Sequence, residues 1–119
     1  MNNEKRSCIA FICAIHIDST RADYLYDCIH KEYKKYHRLS TEYPNMVNIY
    51  DYQRQAYIMG TFPNFYDYQS GKYVYIDMMN NSFKGYDYES GAYFQGEVSN
   101  DMVRIYDYGE SEYFYYRIY

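Results

Sequence analysis

The sequence has no tryptophan, three cysteines, three histidines and no apolar run approaching the ~20 residues that a membrane helix requires. It contains no G-x-S-x-G element, no phosphate-binding glycine loop and no dinucleotide fingerprint. The expectation is a protein that is not an enzyme and uses no cofactor. A small enzyme whose site leaves no motif is the last alternative. Cys8, Cys13, His16 and Cys28 include no C-x-x-C pair, so no metal site is implied.

An odd number of cysteines makes a poor disulfide framework. Free, buried thiols in the cytoplasm are the simpler reading. The segment from Cys8 to Ile17 follows Lys5 and Arg6 as a signal peptide would. It is short, however, contains His16 and lacks a small-residue cleavage site. Basic residues are also scarce, with 12 Lys and Arg against 16 Asp and Glu, a net charge of −4. Phosphate backbones are bound by Lys and Arg that displace counterions, so this balance opposes a nucleic-acid partner.

What the chain does have is tyrosine, 21 of its 119 residues. Tyrosine suits pleated, half-buried surfaces, so the composition leans towards strands. Most of it falls in a repeat: YDYQRQAY from Tyr50, YDYQSGKY from Tyr66, YDYESGAY from Tyr86 and YDYGESEY from Tyr106. The aspartates at 51, 67, 87 and 107 are spaced by 16, 20 and 20 residues. Self-similarity at near-fixed spacing marks a repeated supersecondary unit. Ser70-Gly71 and Ser90-Gly91 are turn dipeptides, so each copy reads as a hairpin with a two-residue loop, Tyr68 facing Tyr73. Asn80-Asn81, Ser99-Asn100-Asp101 and Thr61-Phe62-Pro63 turn the chain between copies.

Ahead of the repeats, residues 7–18 are apolar at both odd and even positions, which suits a strand buried on both sides. A buried helix is the competing assignment, and the β-rich composition favours the strand. Asp18, Ser19 and Thr20 are helix N-cap candidates. Ala22, Leu25, Cys28, Ile29, Tyr36 and Leu39 then form a stripe at helical spacing. An amphipathic helix over 20–39 follows, with Lys31, Lys34, Lys35 and Arg38 as its solvated C-terminal end. The fold class expected is therefore α+β, mostly β, in one domain over 1–119. About eight antiparallel strands form a β-meander over 46–119, with the helix packed on one face.

Strand alternation separates two faces. One collects Val47, Ile49, Ile58, Phe65, Val74, Ile76, Phe83, Phe94, Val98, Val103, Ile105 and Phe114, the natural core. The four repeat aspartates share it, each beside a turn. They read as acceptors of turn hydrogen bonds rather than as a calcium row, because calcium needs six to eight converging oxygens. The other face carries the tyrosines. The candidate binding surface is Tyr50, Tyr66, Tyr73, Tyr75, Tyr86, Tyr93, Tyr106 and Tyr113. Tyrosine gives recognition surfaces a large rigid contact with a polar tip. A protein partner is expected, with carbohydrate as the alternative. No membrane partner is expected. Homo-oligomers would form through the tyrosine face or an edge strand.

Overall fold

The structure is a computed structural model that describes residues 1–17, 22–43 and 45–119. One helix, α1 (Asn3–Ile17), precedes ten strands: β1 (Tyr24–Asp27), β2 (Glu32–Leu39), β3 (Met46–Asp51), β4 (Ala56–Thr61), β5 (Asn64–Asp67), β6 (Lys72–Met79), β7 (Ser82–Asp87), β8 (Ala92–Ser99), β9 (Met102–Asp107) and β10 (Glu112–Ile118). Every strand pairs antiparallel with its sequence neighbour, and β1 pairs with β10, Leu25 facing Ile118. The meander is thus a closed ten-stranded barrel, not an open sheet of about eight strands. Closure satisfies the backbone groups that an open edge would leave unpaired. It also removes the edge strand through which copies were expected to pair.

The barrel is filled by α1. Residues Lys5 to Ile15 are all buried, on every side of the helix. Side chains of α1 reach β2, β5, β7 and β9: Phe11 stacks on Tyr36 at 4.5 Å, Lys5 meets Asp67 and Asp87, and Arg6 meets Asp107. Only a helix in the lumen contacts walls so widely spaced. This overturns the strand expected over 7–18. A segment apolar in all directions has the same pattern whether it is a strand with two buried faces or a helix with none exposed. Asn2 decides the local start, its Oδ1 accepting from the Lys5 N–H at 2.8 Å as an N-cap does.

The helix expected over 20–39 is instead the hairpin β1–β2, while its cap candidates Asp18, Ser19 and Thr20 lie outside the described residues. Leu25 and Asp27 face inward from β1, Lys34 and Tyr36 from β2. The hairpin is a fifth copy of the repeat, Tyr26-Asp27-Cys28 with Tyr33 closing it, in which cysteine replaces the middle tyrosine. The helical stripe was a coincidence of inward and outward residues. Ile29, assigned to its apolar seam, is exposed in the turn.

The five hairpin loops have four residues, not two. Asp67 faces Lys72 and Tyr66 faces Tyr73. In four of them the aspartate carbonyl accepts from the N–H four residues on: Lys31, Gly71, Gly91 and Ser111, at 2.8 Å. Those residues, and Gln55 in the fifth loop, have positive φ, the conformation glycine adopts freely at 71 and 91. The expected register was off by two residues, and a shift of two keeps every side chain on its own face. The core face consequently emerged as expected, with Ile49, Ile58, Phe65, Val74, Ile76, Val103 and Ile105 fully buried. At the opposite pole, Phe62-Pro63, Asn80-Asn81 and Asn100-Asp101 are tight two-residue turns, as their sequences indicated. Gly85 and Gly96 face inward beneath the rings of Phe94 and Phe83, where a Cβ would strike ring and backbone. Such a pairing lets a curved wall close without losing packing.

Candidate functional site

Each hairpin directs its aspartate inward and its tyrosines outward. Asp27, Asp51, Asp67, Asp87 and Asp107 are fully buried and form a ring of carboxylates at one pole of the barrel. As the sequence indicated, each caps its own turn. Asp27 Oδ1 accepts from Ile29 and His30, Asp51 Oδ1 from Gln53 and Arg54, Asp67 Oδ1 from Gln69, and Asp107 Oδ1 from Gly109. Asp87 takes Glu89 on Oδ1 and Ser90 on Oδ2. The residue three positions after the aspartate often holds the second oxygen: His30, Arg54, Ser70 and Ser90 do so in their own turns.

Cations fill the ring from within. Lys5 Nζ lies 2.9 Å from Asp67 and 3.0 Å from Asp87, with Glu89 at 3.6 Å. Arg6 Nη2 lies 3.0 Å from Asp107, and its guanidinium stacks over Phe114 at 3.5 Å. The amino group of Met1 is 3.4 Å from Asp107, and Arg54 bridges Asp51 and Asp67. Burial by itself would raise the Asp67 carboxyl, but hydrogen bonds and charge from Lys5 and Arg54 outweigh it and hold the group below its ordinary range. Burial would likewise lower Lys5, and Asp67 with Asp87 outweighs it to raise the ammonium. Four carboxylates of the ring, Asp51, Asp67, Asp87 and Asp107, are thus compensated by cations, while Asp27 is held by its own turn and the His30 ring. Among the described residues, no group of three or more His, Cys, Asp or Glu is arranged to hold a metal ion.

Cys8 lies close enough to Asp51 and Arg54 to feel their charge. Cys8 and Cys13 are fully buried on α1, and burial pushes both thiols well up. His16, near the end of α1, is exposed and packs against Phe62. His30 lies in the β1–β2 turn and His37 on β2. Lys34, expected to be solvated, is buried between Glu4 and Glu32 at 3.1 and 2.8 Å.

Outside the ring runs a belt of tyrosine clusters, one per hairpin. In the later four copies a central ring (Tyr50, Tyr66, Tyr86, Tyr106) meets its two partners, two and seven residues on, with centroids 4.7–5.0 Å apart. The first copy keeps the Tyr26–Tyr33 contact at 4.8 Å. Backbone bonds from Tyr68 to Tyr57, Tyr88 to Tyr73 and Tyr108 to Tyr93 set each cluster beside the next. The central rings are half-buried, as is Tyr75, while Tyr73, Tyr93 and Tyr113 are exposed, Tyr93 at 65%. Comparison with known proteins yields no match: no family model, no curated protein and no solved structure is significantly similar to this chain.

The belt is wider than the eight tyrosines taken as candidates. Tyr52, Tyr57, Tyr68, Tyr88 and Tyr108 are exposed partners in the same clusters, and Tyr33 joins from the first hairpin. Tyr33 was missed because its hairpin was read as a helix, although Tyr26-Asp27 and Tyr33 keep the repeat spacing. Tyr36 and Tyr116 are the opposite case, turned inward and buried with hydroxyls that find no hydrogen-bond partner among the described residues. Below the clusters of the last hairpins, a groove of about 320 Å³ runs along the outer wall past Tyr106, Tyr113, Gln95, Glu97, Arg104 and Asp77.

Proposed function

We propose that this chain is a non-enzymatic protein-binding module whose tyrosine belt engages a protein partner. The observation that carries the reading is the division of labour between the two faces. The inward face, α1 and the compensated ion pairs make a complete core, and the exposed rings add little to it. Exposed aromatic patches on such a surface mark interaction sites. The belt wraps a convex wall, which suits the broad contact of a protein better than the enclosure a small ligand needs. Among the described residues no helix is long and apolar enough to cross a membrane.

Capture from native lysate with wild type and with a Tyr73→Ser/Tyr93→Ser variant tests the reading. A partner identified by mass spectrometry, rebuilt from purified components and lost with the variant supports it. Equal binding by a folded variant contradicts it.

Carbohydrate binding is the second reading, favoured by the groove in which Tyr106 and Tyr113 stand above Gln95, Arg104 and Asp77. Aromatic faces flanked by amide, guanidinium and carboxylate groups are what a polyhydroxyl ring requires. A glycan array with Tyr113→Ser as control distinguishes it from the first.

A further inference from the structure

The belt is not uniform in charge. The two turn loops of the last hairpins carry Glu89 and Glu110 and no lysine or arginine, and Glu112 opens β10 beside them. Beneath them lie Asp87 and Asp107, and the cations that face this group are Lys5, Arg6 and the Met1 amino group, with Arg104, paired to Glu97, on the wall beside Tyr113. Carboxylates outnumber cations in that sector. Glu112 makes no ion pair among the described residues and is exposed. The same loops present Tyr88, Tyr93, Tyr108 and Tyr113, each between 47% and 65% exposed.

The molecule already uses such rings to hold cations. Lys35 Nζ lies 4.7 Å from the centre of Tyr52, and the Arg104 guanidinium lies 5.2 Å from that of Tyr113. A ring face attracts a cation through its quadrupole, and neighbouring carboxylates strengthen the field. We infer that the loop face of the fourth and fifth hairpins recognises a lysine- and arginine-rich segment of a protein partner. The rings stack on its cationic side chains while Glu89, Glu110 and Glu112 neutralise them. This rests on the protein-binding reading and adds the chemical class of the partner.

The experiment is a titration with labelled arginine-rich and glutamate-rich peptides, at low and high salt. The arginine-rich peptide should bind, and more weakly as salt rises. Tyr93→Ser and Glu112→Lys should each weaken it about tenfold, as loss of one cation–π or charge contact implies. Tyr43→Ser, at an exposed tyrosine outside the hairpin clusters, should leave it unchanged. Ring-proton shifts in the unmodified protein provide a measure that needs no variant, and they should centre on Tyr88, Tyr93, Tyr108 and Tyr113. Absence of binding, equal loss with Tyr43→Ser, or shifts centred elsewhere overturn the inference. So does tighter binding of the glutamate-rich peptide. A native partner held through Tyr93 by a segment without basic residues overturns the inference and leaves the protein-binding reading standing.

Discussion

Arg6 and Asp107, 101 positions apart in sequence, meet at 3.0 Å inside the barrel with both side chains out of reach of solvent. The contact ties the first turn of α1 to the last hairpin. Together with Lys5 between Asp67 and Asp87, it makes the helix the axle around which the hairpins close. Interior charge, apolar packing and outer rings therefore separate cleanly, and each can be probed alone.

Removing one interior cation should be costly. Lys5→Met leaves the Asp87 carboxylate without its ammonium, and breaking a buried pair from one side typically costs about 3–5 kcal/mol. Urea unfolding should show that loss. A loss below about 1 kcal/mol would mean that the Lys5 pairs do not hold in solution.

The depressed Asp67 carboxyl fixes a pH dependence. A group with a lower pKa folded than unfolded adds stability that is full above its unfolded value, about 3.9, and fades as pH falls through the folded value. Asp67→Asn should therefore be markedly less stable than wild type at pH 7, and the gap should narrow below about pH 4. Unfolding free energies measured at both pH values check this, and a constant gap contradicts it.

Two tyrosines should behave unlike the rest. Tyr36 and Tyr116 bury hydroxyls that find no hydrogen-bond partner among the described residues, so Tyr36→Phe or Tyr116→Phe removes an uncompensated desolvation cost. Thermal melts should show no loss or a gain of up to about 1 kcal/mol. A clear loss would show that these hydroxyls are bonded.

Thiol accessibility follows burial. In the native protein Cys8 and Cys13 should resist thiol reagents, while Cys28, partly exposed with its thiol raised by burial, should react slowly. After denaturation all three should titrate. Rapid native labelling of Cys8 or Cys13 would place α1 outside the lumen.

Much of the wall was legible in the chain because a strand repeat writes its two faces at period two, and Asp67 and Tyr66 keep their sides even when the turn lengthens. The lumen helix was not, because Ile9, Phe11 and Ile12 satisfy a helix or a strand equally when every side is buried. The first hairpin was hidden by one substitution, Cys28 for tyrosine, and by Leu25, Ile29 and Tyr36 mimicking a helical stripe. Nothing local announces that Lys5 or Arg6 faces buried aspartates, since those partners come from distant turns. Strand alternation separated Tyr73 and Tyr93 from the core face, and both lie on the exposed outer side of the wall. Its curvature into a ring depends on closure, which no single segment encodes.

The central claim is that the outer rings are dispensable to the fold and free for recognition. Urea unfolding of the Tyr73→Ser/Tyr93→Ser variant tests it most directly. Two cross-strand pairs, Tyr66 with Tyr73 and Tyr86 with Tyr93, are lost, at roughly 0.2–1 kcal/mol each. The account predicts one cooperative transition, less stable than wild type by under about 2 kcal/mol. A variant that fails to fold, or loses as much stability as Lys5→Met, would make the tyrosines part of the core and contradict the account.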